Sequence, residues 1–140
     1  MVIAVSSMTS VPETAYGQID TKDTKEDRVT VPATTQPNAI EMAVREYFKD
    51  IPVLVTIARC ESRFRQTLAD GSVLRGSVDT ADVGVMQINT RYHSARAREL
   101  GLDLKELQDN MAYARRLYEK QGTAPWQASA PCWNRTLAVR

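Results

Sequence analysis

The chain has 140 residues, a length that fits one domain with an additional flanking segment. Its composition, with 43% hydrophobic and 25% charged residues, is ordinary for a globular protein, and no apolar stretch is long enough to cross a membrane. The formal net charge of +1 gives no overall field that would favour nucleic acid, so neither nucleic-acid binding nor stable membrane insertion is expected.

Residues 1–37 are predicted to form a disordered tail or linker. The segment is rich in Thr, Asp, Lys and Pro, lacks helical periodicity and cannot bury enough apolar area to offset the entropy of ordering. Its first residues, MVIAVSSM, have no basic region and too short an apolar core for a signal peptide, although a trimmed signal peptide would leave such a remnant. A folded domain is predicted for residues 38–140.

Two helices are predicted at the start of this domain. Asn38, with a glutamate three residues later, resembles a capping-box start, and apolar residues follow at helical spacing: Ile40, Val44, Tyr47 and Phe48. Asp50 and Pro52 then favour a new helix start, because proline is well tolerated in a first helical turn. This second helix has VLVTIA as its apolar part and is expected to end near Arg63.

Glu61 follows the apolar part of the second helix and is the first candidate for chemistry. Such a carboxylate is either solvated where the helix reaches the surface or held in a partly dry pocket, where it handles protons. Glu61 follows Ile57 by four residues and Leu54 by seven, so it shares their face of the helix. The periodicity therefore favours the partly dry pocket.

The second half of the domain combines one β-like excursion with two further helices. Residues 67–85 hold three glycines with Asp, Ser and short β-branched pieces, which is typical of a hairpin or a glycine-rich loop. TRYHSARARELG is predicted to be helical up to Gly101, and DLKELQDNMAYARRLYEKQG to be a helix that stops at Gly122. The predicted fold class is α+β, mainly α, with a small β-hairpin excursion.

The two cysteines, Cys60 and Cys132, and the single histidine, His93, are too few for the usual zinc patterns, and no metal or cofactor is expected. A nucleophile made of a cysteine and this histidine has no supporting motif. The cysteines are therefore either buried free thiols or one disulfide, and a disulfide would indicate an oxidising compartment.

Three stretches in order along the chain resemble the lysozyme-like superfamily: CESRF, DVGVMQIN and NMAYARRLYEKQG, the last followed by PW, S and CW. Over residues 39–133 the chain looks closest to single-domain lytic transglycosylases, which also resemble goose-type lysozymes and cleave bacterial peptidoglycan. The resemblance implies a lysozyme-like fold and glycan strands of peptidoglycan as the partner. It also implies cleavage of the β-1,4 bond between N-acetylmuramic acid and N-acetylglucosamine, without a cofactor.

The resemblance assigns the catalytic role to Glu61. As the general acid it would protonate the glycosidic oxygen, so it must hold a proton at the working pH, and burial against apolar residues favours the protonated form. Ser62 would pack or hydrogen-bond near the acid, or simply end the helix. Tyr113 matches a tyrosine that points toward the acid in the family, and a core position is the alternative.

The second motif would line the sugar cleft. Gly84 would allow close approach of backbone and ligand, and Met86 and Gln87 would contact the sugar through apolar and amide groups. Trp126 would either stack on a sugar face or close the core. Asn89 is expected to cap the next helix rather than bind substrate.

Asp82 distinguishes two reactions within the superfamily. Lytic transglycosylases use the N-acetyl group and 6-hydroxyl of the substrate itself and form a 1,6-anhydro product without a second carboxylate. Lysozymes of the animal type carry a nucleophilic aspartate two residues before the glycine, the position of Asp82 here. The alternative is a turn aspartate bonded to nearby backbone N–H groups, which VDTADVG favours slightly, and Asp79 is a weaker candidate for either role.

The main prediction is therefore a lytic transglycosylase with Glu61 as general acid and base. A lysozyme-type hydrolase that uses Asp82 as second carboxylate and a non-catalytic glycan-binding module are the alternatives. A pure binding module would have no need of a buried acid, so Glu61 argues against that alternative. An unrelated helical interaction protein remains only if the matches to the three motifs are chance.

We expect Cys60 and Cys132 to form a disulfide, with two free thiols as the alternative. The segment APCW has little regular structure of its own, and the bond would hold it against the back of the helix that carries Glu61. It would close a loop of about seventy residues, for which the chain-entropy model predicts roughly 4 kcal/mol. Such a bond indicates an extracytoplasmic protein, periplasmic, wall-associated or secreted, and we expect a monomer.

Overall fold

Helices make up most of the part of the chain that the structure describes. The computed structural model describes residues 37–139, so the tail predicted for residues 1–37 lies outside it, apart from its last residue. The α-helices within this part are α1 (Pro37–Tyr47), α2 (Pro52–Ser62), α3 (Thr90–Glu99), α4 (Leu107–Gln121) and α5 (Ala130–Ala138). None of the described helices is both long and apolar enough to cross a membrane.

The β-like excursion contains one short antiparallel hairpin. Strand β1 (Asp82–Val83) pairs with strand β2 (Ile88–Asn89), so that Asp82 lies opposite Asn89. The rest of the excursion is an irregular loop with isolated bridges. The predicted class, mainly helical with a small hairpin, is therefore confirmed for the described residues, although the regular strands are only two residues long.

The start of α1 corrects a prediction about capping, whereas the start of α2 agrees with the sequence pattern. Because α1 begins at Pro37, Asn38 lies inside the first turn and not at the cap, and the fixed φ of proline suits a first helical position. Helix α2 begins at Pro52 as predicted, but Asp50 does not cap it. The Asp50 carboxylate instead accepts two hydrogen bonds, each 2.8 Å long, from the guanidinium of Arg115 on α4.

The other helix ends agree more closely with the sequence patterns. Helix α2 ends before Arg63, which adopts a left-handed conformation with φ 54°. Asn89 caps α3 as predicted, because its side chain accepts a hydrogen bond from the Arg91 N–H at 3.1 Å. Helix α4 stops at Gly122 as predicted, but it begins at Leu107, four residues later than the pattern indicated, because a turn precedes it.

The core is formed by the apolar faces of α1, α2 and α4 and by the segment between the two strands. Its largest fully buried side chains come from all four of these elements, among them Val44, Leu54, Ile57, Met86 and Met111. Burial of such side chains supplies the main driving force for folding. Glu61 lies one turn beyond Ile57 on α2, so it stands at the edge of this core.

The carboxamide of Asn110 on α4 holds the segment between the strands. Its Oδ1 accepts a hydrogen bond from the Met86 N–H at 3.0 Å, and its Nδ2 donates to the carbonyl oxygens of Val83 at 3.0 Å and Leu104 at 2.8 Å. Asn110 is fully buried, so these bonds form where an unpaired polar group would be costly. One side chain thereby fixes three backbone groups.

A second buried amide, that of Gln66, holds the same segment. Its Oε1 accepts a hydrogen bond from the Val85 N–H at 2.8 Å, and its Nε2 donates to the Lys105 carbonyl at 2.7 Å. Between the two amides Gly84 adopts φ 74°, and a Cβ there would lie 2.5 Å from Asn110 Nδ2. Internal packing therefore requires this glycine, whereas the sequence prediction attributed it to close approach of a ligand.

The C-terminal segment is regular, which corrects the prediction that APCW has little structure. A 3-10 helix (Ala124–Ser129) leads into α5, and each of the two helices has a proline in its first turn, Pro125 and Pro131 respectively. Proline is well suited to a first turn, because the N–H that it lacks has no partner within the helix there. The prolines of this segment therefore mark the starts of two helices.

A disulfide joins Cys60 on α2 to Cys132 on α5, with 6.0 Å between the two Cα atoms, and this confirms the predicted pairing. The indoles of Trp126 and Trp133, which lie on either side of Cys132 in the sequence, are both buried. Trp126 Nε1 donates to the Met86 carbonyl at 2.9 Å, and Trp133 Nε1 donates to the Trp126 carbonyl at 3.1 Å. The C-terminal segment is thus attached to α2 and to the segment between the strands.

Candidate active site

A cleft of about 320 Å³ opens where the end of α2, the hairpin, α3 and the 3-10 helix meet. Two carboxylates, three amides and several rings line it, among them Glu61, Asp82, Gln87, Asn89, Tyr92, His93, Gln121 and Trp126. The core on one side and solvent on the other create a boundary at which a polar side chain is partly desolvated. Such a boundary favours acid–base chemistry, because partial burial shifts the protonation of ionisable groups.

Glu61 is the half-buried carboxyl of this cleft. Burial raises its pKa above the usual value, the hydrogen bond from the Ser129 hydroxyl partly opposes this shift, and the negative charge of Asp82 adds to it. The Ser129 hydroxyl donates to Glu61 Oε1 over 2.6 Å. The side chain thus has the protonated form favoured by its surroundings while one oxygen is held by a defined partner.

Asp82 lines the cleft with Glu61, and the turn role predicted for it belongs to Asp79. The Asp79 carboxylate accepts a hydrogen bond from the Ala81 N–H at 2.9 Å and pairs with Arg91 at 2.9 Å. The Asp82 carboxylate accepts a hydrogen bond from Asn89 Nδ2 at 2.8 Å. It is therefore fixed by the opposite strand and stays at the cleft.

Several of the predicted site residues lie inside the protein and do not line the cleft. Ser62 is buried, and its hydroxyl donates to the Ala58 carbonyl at 3.0 Å within the helix. Gly84 is buried between the two amides, and the Met86 side chain is fully buried in the core. Gly84 and Met86 were predicted to line a sugar subsite, but both are buried in the interior and neither lines the cleft.

Gln87 is the residue of the second motif whose predicted place agrees with the cleft. It has a left-handed backbone with φ 49°, and its Nε2 donates to the Gly84 carbonyl at 2.9 Å. The Gln87 side chain reaches the cleft, while its neighbours Met86 and Ile88 are buried. One strained residue thereby presents an amide at the cleft wall.

Tyr113 is buried on α4, and its hydroxyl lies 3.1 Å from His93 Nδ1, within hydrogen-bonding distance. The two rings contact edge to face, with centroids 5.3 Å apart. The resemblance had placed Tyr113 toward the acid, whereas its hydroxyl contacts the histidine of α3. His93 lines the cleft, and burial lowers its pKa below the usual value, so the neutral imidazole is favoured.

Trp126 combines the two roles that the sequence left open. It is only 3% exposed and bonded to the Met86 carbonyl, so it closes the core. An edge of the same side chain lines the cleft close to Glu61 and Asp82. A ring held in this way supplies a rigid apolar wall.

Sequence reasoning missed several residues of the cleft. Tyr92 and His93 lie in the first turn of α3, shortly after the second motif. Their closeness to that motif in the sequence could have indicated that they line the same cleft. Gln121 lies at the end of α4, and Ser129 is the serine between PW and CW of the third stretch, to which no role was assigned. Ser129 and Glu61 are 68 residues apart, and no local pattern indicates their contact.

The rest of the described chain offers fewer groups for chemistry. A larger groove of about 800 Å³ lies between residues 66–75 and residues 105–107, and its ionisable side chains are exposed: Arg75, Lys105 and Glu106. Nowhere in residues 37–139 do three or more His, Cys, Asp or Glu side chains come together as a metal site would require. The smaller cleft holds a half-buried carboxyl whose pKa is raised by burial, and the larger groove does not.

Comparisons with known proteins add no family assignment. No protein-family model matches the chain, and no curated protein or solved structure matches it either. What the cleft can do follows from the side chains that line it and from their surroundings.

Proposed function

We propose that the chain is a lytic transglycosylase with a lysozyme-like fold that cleaves the β-1,4 bond between N-acetylmuramic acid and N-acetylglucosamine in peptidoglycan. The observation that carries this proposal is the half-buried Glu61 carboxyl at the cleft, whose pKa burial raises. A general acid requires that property, because it must hold its proton until the glycosidic oxygen accepts it. The order of CESRF and DVGVMQIN along the chain supports the same family.

Glu61 acts first as an acid and then as a base in this reaction. Its proton moves to the glycosidic oxygen, the bond from the anomeric carbon to that oxygen breaks, and the electron pair stays with the oxygen. The N-acetyl group of the substrate bonds to the anomeric carbon. Glu61, now a carboxylate, then accepts the proton of the 6-hydroxyl as that oxygen bonds to the anomeric carbon and closes the 1,6-anhydro ring. The bond from that carbon to the acetamido oxygen breaks with its electron pair, which restores the N-acetyl group, and Glu61 is returned to its protonated form.

The cleft also carries groups suited to hold a glycan. Tyr92 is 77% exposed at the cleft, and an exposed aromatic ring offers a flat apolar surface to the face of a sugar. The amides of Gln87 and Gln121 supply donors and acceptors for hydroxyl and acetamido groups. His93, hydrogen-bonded at Nδ1, adds a polar ring on the α3 side.

The disulfide supports an extracytoplasmic place of action. Disulfides persist in oxidising compartments, and peptidoglycan lies outside the cytoplasmic membrane. The bond between Cys60 and Cys132 attaches α5 to the helix that carries Glu61, so an oxidising compartment would also favour an intact cleft.

A lysozyme-type hydrolase is the second candidate, and the position of Asp82 favours it. Asp82 lines the same cleft as Glu61, and Asn89 on the opposite strand holds its carboxylate. A carboxylate held in a cleft with the acid is able to serve as the nucleophile of a retaining glycosidase. Water would then release a product with a reducing end.

Digestion of purified peptidoglycan by wild-type protein, Glu61→Gln and Glu119→Gln tests the proposal. Glu119 is an exposed glutamate of α4, so its substitution is the matched control. Mass spectrometry is expected to find ends lighter by one water in the digests of wild type and Glu119→Gln. The Glu61→Gln variant should lose at least about 100-fold in rate, because an amide cannot donate the proton.

Each of the other outcomes has a distinct meaning. Hydrated reducing ends would replace the transglycosylase with the hydrolase. Cleavage by Glu61→Gln at the wild-type rate would remove Glu61 from the chemistry. Binding of glycan strands by wild-type protein without any product would indicate a non-catalytic glycan-binding module.

A further inference from the structure

Ser129 stands at the N-cap of α5, but its hydroxyl makes no capping bond. A serine in this position normally accepts a hydrogen bond from an N–H of the first turn. Pro131 has no N–H to offer, but the N–H of Cys132 is at the next position. The hydroxyl oxygen instead lies 2.6 Å from Glu61 Oε1 and 3.1 Å from the Trp126 carbonyl oxygen.

The two contacts of this hydroxyl cannot both be donated at once. A serine hydroxyl has a single hydrogen, and a carbonyl oxygen only accepts. When Glu61 is ionised, or carries its proton on Oε2, the hydroxyl donates to Oε1. When Oε1 carries the proton, Glu61 donates to the hydroxyl oxygen, and Ser129 donates to the Trp126 carbonyl.

We propose that Ser129 is the positioning residue of the Glu61 acid, because its hydroxyl donates to Oε1 both before and after Glu61 gives up the proton on Oε2. The inference rests on the proposed function, because it concerns the same acid. Donation from Ser129 to Oε1 leaves Oε2 as the oxygen that carries the proton into the cleft. After transfer, the same hydrogen bond stabilises the carboxylate that remains.

Both partners of the hydroxyl are held in place. Cys60 precedes Glu61 directly, and Cys132 follows Ser129 by three residues, so the disulfide ties the acid and its partner to one crosslink. The Trp126 carbonyl also accepts a hydrogen bond from Trp133 Nε1 at 3.1 Å, which a carbonyl with two lone pairs allows. Only hydrogen atoms need to move when Glu61 changes its protonation.

Other ionisable groups face the same cleft, so a rate profile alone would mix their effects. Asp82 on β1 and both Tyr92 and His93 on α3 line the cleft with Glu61. The 3-10 helix has no ionisable side chain, and Arg135 of α5 donates to the carbonyl of its own helix at Pro131. On α1, which also packs against α2, Glu41 and Arg45 pair with each other. The ionisation of Glu61 must therefore be observed directly.

The direct test is an NMR titration of protein isotope-labelled at the glutamate carboxyl carbons. The signal that is missing from the spectrum of Glu61→Gln is the resonance of Glu61. We expect the pKa of Glu61 to rise in Ser129→Ala, because a hydrogen bond that favours the charged form is removed. Ser129→Thr retains the hydroxyl and should keep the wild-type titration, and Ser94→Ala is the matched control, because Ser94 lines a different cavity beside α3.

The digestion assay supplies the second measurement. Ser129→Ala should lower kcat about 10- to 100-fold and change KM by less than about twofold, because the lost bond acts on a charged group formed during reaction. The alkaline limb of its rate profile should also move to higher pH. General loosening of the cleft would lower the rate without moving that limb.

An unchanged Glu61 titration in folded Ser129→Ala would overturn the proposed role of Ser129. If the alanine variant does not fold, Ser129→Gly gives the same test, because glycine is also favoured at an N-cap. The titration needs no substrate, so an inactive wild-type protein would refute the proposed function alone. Conversely, an active wild type with an unchanged titration in the variant would refute only the role of Ser129.

Discussion

Replacement of Asn110 by alanine is expected to be among the most destabilising single changes in the domain. The fully buried carboxamide makes three hydrogen bonds, to the N–H of Met86 and to the carbonyls of Val83 and Leu104. Alanine would leave these backbone groups without that partner and would open a cavity beside the segment between the strands. The variant therefore tests whether buried amides hold the cleft wall.

The magnitude follows from the number of groups left unpaired. Each buried polar group without a partner costs about 1–3 kcal/mol, so three of them cost about 3 kcal/mol even at the lower limit. The cavity adds a further cost, and a total of about 3–5 kcal/mol is a large part of the roughly 5–15 kcal/mol that stabilises a typical domain. Alanine favours helices over asparagine by up to about 0.7 kcal/mol, which works in the opposite direction.

Urea unfolding followed by tryptophan fluorescence measures this difference. Asn134→Ala is the matched control, because Asn134 is exposed on α5 and the same chemical change there includes the same gain in helix propensity. We expect the free energy of unfolding of Asn110→Ala to lie about 3–5 kcal/mol below that of Asn134→Ala. A difference of less than about 0.5 kcal/mol would show that the three bonds do not stabilise the fold.

Three further changes test other parts of the structure. Asp82→Asn should lower the digestion rate by less than about tenfold in a transglycosylase and by more than about 100-fold in a hydrolase, and an unchanged rate would remove Asp82 from both reactions. Hydrogen bonds from Arg115 lower the pKa of Asp50 from 3.8 to about 2, so their stabilisation is complete above pH 3.8 and is lost as the pH falls through 2. The gap in Tm between wild type and Asp50→Asn should therefore shrink from pH 6 to pH 2, and a constant gap would contradict the pairing. Replacement of both Cys60 and Cys132 by serine should lower the free energy of unfolding by about 2–4 kcal/mol in the same urea experiment, and equal urea midpoints would show that the crosslink does not stabilise the domain.

Local patterns in the sequence determined the helices that carry the cleft and several of their ends. The proline at position 52, the cap at Asn89 and the stop at Gly122 each depend on hydrogen bonds within one helical turn, so a short window contains the whole signal. The place of Glu61 on the apolar side of α2 follows from helical geometry in the same way. The pairing of Cys60 with Cys132 was accessible despite their distance in sequence, because the chain has no other cysteine.

Only the tertiary structure decided which side chains meet at the cleft. Ser129 contacts Glu61 across 68 residues, and Asn110 contacts Met86 across 24 residues, and no local pattern indicates either contact. The turn role belongs to Asp79, because its carboxylate accepts a hydrogen bond from the Ala81 N–H. The cleft position belongs to Asp82, because Asn89 of the paired strand holds its carboxylate there. Such contacts arise when whole helices and strands pack together. Chemically identical side chains therefore receive different roles from neighbours that lie far away along the chain.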